Sequence, residues 1–117
     1  LEINKTSGTA FGDKIKSTAL DEIFSGGDGA DVFEFTAGTG ADRITDFSAG
    51  LDKLEVLSGV NGTSISTAAG ILARITDTSD GALLDLGNNA GGDLQSVLLI
   101  GISKEDLSSD DFLISYL

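Results

Sequence analysis

The sequence predicts an all-β fold: a coil of short strands joined by glycine-rich bends, then a hairpin and further strands that close its end. Three observations predict it. An acid is followed two places later by a large apolar residue at five phased positions. Glycine accounts for 16 of the 117 residues while proline is absent. The second half carries apolar runs of strand length separated by turn residues.

Taken in order, the first nonads read Gly-Thr-Ala-Phe-Gly-Asp-Lys-Ile-Lys from Gly8, Ser-Thr-Ala-Leu-Asp-Glu-Ile-Phe-Ser from Ser17 and Gly-Gly-Asp-Gly-Ala-Asp-Val-Phe-Glu from Gly26. Their sixth place is always acidic (Asp13, Glu22, Asp31) and their eighth always large and apolar (Ile15, Phe24, Phe33). The same step recurs at Asp42 with Ile44 and at Asp52 with Leu54, so the acids are spaced nine, nine, eleven and ten residues apart. A nine-residue turn of a coil needs a tight bend and then a short strand that points a bulky side chain inward. Glycine supplies the bend because it tolerates positive φ. The nonads stop after Leu57, which sets residues 1–57 apart from 58–117 within one continuous unit.

In the second half, Ile71, Ala73 and Ile75 alternate with Leu72, Arg74 and Thr76. Asp77 to Gly81 reads as a turn and Ala82 to Leu86 as a returning strand, together a hairpin. A loop is expected over Gly87 to Asp93, and the apolar run from Ser96 to Ile100 fits a buried strand. Ser103 with Asp106 three places on reads as a capped helical turn, since each can satisfy a free amide at a helix start. The apolar tail after Asp110 is expected to be the last strand of a sheet.

Composition excludes several chemistries. With no Cys, His or Met there is no disulfide, thiolate nucleophile, imidazole base or soft-metal site. A metal site has to be built from oxygen, which suits hard cations such as calcium. The net charge of −12, from 19 acids against 7 bases, repels phosphate backbones and anionic lipid, so no nucleic-acid partner is expected. No stretch is long and apolar enough to span a bilayer. So much like charge also opposes compaction, and a fold that depends on cations reconciles it with a 40% hydrophobic content. Acid pairs such as Asp110 and Asp111 have simpler places in a cap or turn than in acid–base catalysis, and no enzyme activity is expected. Gly38-x-Gly40 lacks the third glycine of a dinucleotide fingerprint, having Arg43 there.

Residues 26–34 match Gly-Gly-x-Gly-x-Asp-x-apolar-x, and the chain here resembles the calcium-binding nonapeptide repeat of RTX proteins. The resemblance implies a parallel β-roll whose turns alternate between two edges, with Ca2+ between turn n and turn n+2. Carried over by position, Asp13, Asp31 and Asp52 would share one edge and Glu22 and Asp42 the other. Carbonyls around Gly8, Ala10, Gly26, Asp28, Gly40 and Gly50 would complete the shells. Only the third nonad matches in full: Glu22 replaces aspartate, and Ser17 and Leu20 stand where glycines belong.

Asp46-Phe-Ser-Ala-Gly-x-Asp52-x-Leu, Asp80-Gly-x-x-Leu-x-Leu-Gly87, Leu99-Ile-Gly-Ile-Ser and Asp106-Leu-Ser-Ser-Asp-Asp-Phe-Leu-Ile resemble the C-terminal region of serralysin-type proteases, mannuronan C5-epimerases and adhesins exported by type I secretion. That resemblance implies a non-enzymatic C-terminal module of a larger protein secreted by a bacterium. Its partners would be calcium ions and, during export, the type I exporter, which reads an uncleaved signal such as Asp111-Phe-Leu-Ile114. Ser115-Tyr-Leu117 extends past the usual ending. The alternative is a carbohydrate-binding accessory module contacting an extracellular uronate polysaccharide. It calls for a basic stripe, drawn from Lys5, Lys14, Lys16, Arg43 and Lys53, with Lys14 and Lys16 on one side of a strand.

Overall fold

The computed structural model describes residues 4–7 (backbone only), 12, 14–17, 21–36, 40–88 and 91–116. The structure is mostly β and is built from two sheets. Its first strands are β1 (Asn4–Ser7), β2 (Lys14–Lys16), β3 (Glu22–Ser25), β4 (Val32–Phe35), β5 (Ala41–Ile44) and β6 (Lys53–Leu57). These alternate between the sheets, and each pairs in parallel with the strand two further along: β1 with β3, β3 with β5, β2 with β4, β4 with β6. Neighbours within a sheet are therefore separated in the chain by a strand of the other sheet.

Acid and apolar residue stand two apart on a strand and so share one face. Glu22 and Phe24, Asp42 and Ile44 all point inward from one sheet. Phe33 and Phe35, then Leu54 and Val56, point inward from the other. The core between the sheets is aromatic at its centre. Phe24 meets Phe33 and Phe35 edge to face, with ring centroids 6.2 and 5.9 Å apart, a favoured geometry for the ring quadrupoles.

The second half completes both sheets. β7 (Ile75–Thr78), β8 (Gly81–Asn88) and β9 (Leu94–Ile100) extend the first sheet, giving the order β1-β3-β5-β9-β8-β7. β9 lies parallel to β5 on one side and antiparallel to β8 on the other, which makes that sheet mixed. β10 (Phe112–Ser115) lies parallel to β6 and gives the second sheet the order β10-β6-β4-β2. The expected hairpin is present as β7 and β8, antiparallel from Ile75↔Leu84 to Thr78↔Gly81.

Several elements differ from the sequence reading: the turn expected over Asp77 to Gly81 narrows to Ser79 and Asp80, because Asp77, Thr78 and Gly81 pair in the hairpin, and β8 runs through Gly87 and Asn88 into the expected loop. Ile71 and Leu72 lie not on a strand but on α1 (Ala68–Leu72), because Thr67 Oγ1 accepts from Gly70 N at 3.0 Å and opens a helix there. Only Ile71 of this helix is buried, and α1 packs against β10. The capped turn at Ser103 is a 3-10 turn over Lys104–Asp106, where the Ser103 amide donates to Asp106 Oδ2 at 3.2 Å. A second of the same kind, over Ser109–Asp111 and capped by Ser108, leads into β10. Among the described residues no helix is long and apolar enough to cross a membrane.

Candidate metal centre

Four acids of the repeat are described, and all four are buried. Glu22 is 4% exposed, Asp31 1%, Asp42 1% and Asp52 2%. Alternation turns them inward with the core residues, and their place at the start of each strand sets them where the bends leave the sheets.

The parallel register brings them together in pairs. On one edge Glu22 lies beside Asp42: the Glu22 amide donates to Asp42 Oδ1 at 2.9 Å, and Ser17 Oγ donates to Asp42 Oδ2 at 2.7 Å. Ser17 Oγ also lies 3.2 Å from Glu22 Oε1. On the other edge the Asp31 amide donates to Asp52 Oδ1 at 2.9 Å, and the Ser48 amide to Asp52 Oδ2 at 2.9 Å. The partners stand 20 and 21 residues apart, two windings of the chain. Each carboxylate thus accepts a charge-assisted bond from the backbone two strands earlier. Asp13, Gly8 and Ala10 lie outside the described residues.

The glycines have separate reasons. Gly27, Gly29, Gly40 and Gly50 all have φ between 77° and 89°, where a side chain is disfavoured. Gly26 is instead constrained by close approach. A Cβ there would stand 2.9 Å from Phe33 Cζ and closer still to Asp31 Oδ2, so the Asp31 carboxylate lies over the space that the missing side chain leaves. Asp28 and Gly50 are exposed, and the Gly40 carbonyl accepts from Ser96 N at 3.1 Å.

Burial disfavours the charged form of Asp42 and pushes its carboxyl up to about 7. The Ser17 hydroxyl and the Glu22 amide pull it back, while the charges of Glu22 and Asp21 push it further up. A depression of about 250 Å³ opens beside this pair, bordered by Asp21, Arg43, Ser96 and Leu98.

Sequence reasoning gave no such role to Asp46, Gln95 and Asp111, nor to Asp21, whose Oδ1 accepts from Ala41 N at 2.9 Å. Asp46 accepts from Gly26 N and Gly27 N, both at 2.9 Å, and from Ser25 Oγ at 3.1 Å, so it holds the Gly-Gly bend. Its distance of 20 residues from Gly26 is the signal that could have found it, because Glu22 and Asp42 have the same spacing. Gln95 accepts from Gly40 N, and Asp111 Oδ1 accepts from Gly50 N at 2.7 Å. Both come from the second half and carry no periodic signal.

The arrangement fits a hard cation in its donor chemistry, since every candidate ligand is an oxygen. Among the described residues no group of three or more acidic side chains converges. A cation here would draw its shell from a pair of carboxylates, backbone carbonyls at the bends and water. Neither protein-family models nor curated proteins give a match to this chain.

Proposed function

We propose that the chain is a calcium-binding parallel β-roll with a β-strand and hairpin cap, acting without catalysis as the C-terminal module of a larger protein exported by a type I system. The observation that carries this reading is the burial of phased carboxylates in pairs, Glu22 with Asp42 and Asp31 with Asp52, beside glycine bends of positive φ. The alternation of parallel strands between two sheets supports the roll. The upward push on Asp42 supports a cation role, because an acid costly to ionise alone is one that a cation relieves.

Bound between a pair, calcium would supply the positive charge that offsets carboxylate repulsion. Where calcium is scarce, as inside a bacterium, the repulsion of 19 acids against 7 bases favours an open chain suited to a narrow exporter. Outside, calcium at about ten times a dissociation constant of about 10⁻⁴ M adds roughly 1.4 kcal/mol per site, so several sites act together.

The polysaccharide reading draws less support. Lys14 and Lys16 do face the same side of β2, but Lys14 lies 3.3 Å from Glu55 and 3.8 Å from Glu34, and Lys53 Nζ donates to the Asp110 carbonyl. Arg43 stands on the other sheet. Lys14 and Lys53 thus meet the protein's own acceptors, and the Lys5 side chain lies outside the described residues.

Far-ultraviolet circular dichroism and thermal melts, with chelator and then with millimolar calcium and a magnesium control, test the reading. Calcium alone should raise the melting temperature by tens of degrees. Coincident spectra and melts in all three conditions would sink it.

A further inference from the structure

We infer that Asn61 is a site of spontaneous chemical modification, in which the Gly62 backbone nitrogen displaces the Asn61 side-chain amide, and that the contact of its turn with β8 holds this reaction off in the folded chain. The inference is independent of the calcium reading.

Asn61 and Gly62 are adjacent in the sequence and complete the 3-10 turn Val60–Gly62 that follows β6. Glycine has no side chain to shield its nitrogen, so an asparagine before it is open to attack from the backbone. The other asparagines, Asn4, Asn88 and Asn89, precede Lys, Asn and Ala, whose Cβ atoms crowd that approach.

The step needs no reactant but water. The Gly62 nitrogen forms a bond to Asn61 Cγ and gives up its proton, the Cγ–Nδ2 bond breaks, and Nδ2 leaves as ammonia. The cyclic imide left behind takes up water and opens at either carbonyl, to an aspartate or to an isoaspartate whose main chain runs through the former side chain.

The fold blocks this at both reacting nitrogens. Asn61 Nδ2, the leaving group, donates to the Leu86 carbonyl at 2.8 Å, which ties the side chain to β8. The Gly62 amide, the nucleophile, donates to the Gly59 carbonyl at 3.0 Å, and the Thr63 amide to the Val60 carbonyl at 2.9 Å. A nitrogen whose proton is held in such a bond attacks poorly, because it must lose that proton to react. The turn is also fixed in its own shape. Asn61 has φ 51° and ψ 29° and is the only non-glycine of positive φ among the described residues, while Val60, 1% exposed, anchors the turn in the core.

Reaction therefore waits for the turn to lift from β8, and its rate follows the fraction of time spent open, as in hydrogen exchange. The product cannot restore the contact. A carboxylate at this position has no proton to give the Leu86 carbonyl, so acceptor faces acceptor. Conversion is thus a one-way record of opening.

Tandem mass spectrometry of the full chain tests the inference, after incubation at mildly alkaline pH with calcium present and, in parallel, in concentrated guanidinium chloride. Circular dichroism on the same samples reports which are folded. The mass gain of amide-to-acid conversion should appear first at Asn61, and at least about tenfold faster in denaturant than in the folded chain. Gly87→Ala on β8 places a methyl group 2.7 Å from Thr63 Cγ2 and 3.4 Å from Asn61 Cβ, so it should lift the turn and speed the reaction several-fold without denaturant. Val60→Ala, which thins the anchor without adding a clash, should do the same. No conversion at Asn61 in denaturant would overturn the site. Equal rates in denaturant and in the folded wild type would overturn the shielding, and an unchanged rate in both folded variants would overturn the part played by β8.

Discussion

The two edges of the molecule start from the same acid-x-apolar step and end in different chemistry. On the Asp31–Asp52 edge both oxygens of Asp52 accept from backbone amides, and the edge is closed by a carboxylate, Asp111. On the Glu22–Asp42 edge a hydroxyl, Ser17, takes one oxygen of Asp42, a second carboxylate stands beside it, and the edge is closed by a neutral amide, Gln95. The repeat thus sets where an acid goes. Its neighbours decide which donors that acid meets: two backbone amides at Asp52, one amide and one hydroxyl at Asp42.

Four measurements break or sharpen this contrast. The largest effect should come from the core that the edges share. Phe24 stands two places after Glu22 and Phe33 two places after Asp31, and their rings meet. Phe24→Ala and Phe33→Ala should each lose about 3–5 kcal/mol in urea unfolding. Losses that differ several-fold would mean that each edge has its own core.

Gly26→Ala should come next, at about 1–3 kcal/mol, because the new methyl group meets Asp31 Oδ2 and Phe33 Cζ. Gly50→Ala enters open space and has only its φ of 85° to overcome, so it should cost about 1–2 kcal/mol. Under the calcium reading Gly26→Ala should in addition weaken calcium, read by titration.

The third measurement is a pH series on metal-free protein. The Asp42 proton is held up to about pH 7 in the fold but only to about 3.8 when unfolded, so the folded chain binds more protons in between. Stability should therefore fall as pH rises through that window, by a few kcal/mol at most. Asp42→Asn should flatten this part of the profile and cost little at pH 8. Asp52→Asn should keep the slope and lose about 1–3 kcal/mol at every pH, since one backbone amide is left without its acceptor. Equal slopes in both variants would erase the distinction between the edges. The smallest effect belongs to Lys14→Ala: its pairs with Glu34 and Glu55 sit on an exposed lysine, and their loss should cost less than about 1 kcal/mol.

Much of the first half was legible because two periods coincide there. The step of two residues puts Asp42 on the same strand face as Ile44, and spacings of 20 and 21 residues put Glu22 beside Asp42 and Asp31 beside Asp52. The second half lacks such a period. Ile71 and Ile75 alternate on paper as one strand would, yet Thr67 caps a helix that takes the first and leaves the second to β7. Asp46 carried a usable spacing that sequence reasoning left unused, whereas Gln95 and Asp111 carried none.

By itself the sequence determined the strand positions of the repeat, the inward direction of its acids and the oxygen-only chemistry open to them, because local period and composition dictate these. Only the tertiary structure decided that β9 and β10 return to close the two sheets, that Ser17 reaches Asp42, and that Asp111 takes the Gly50 amide. Those contacts join residues up to 61 apart without a repeating interval between them. Their partners are chosen by which backbone amides remain unpaired once the sheets have formed, and that choice exists only in the folded chain.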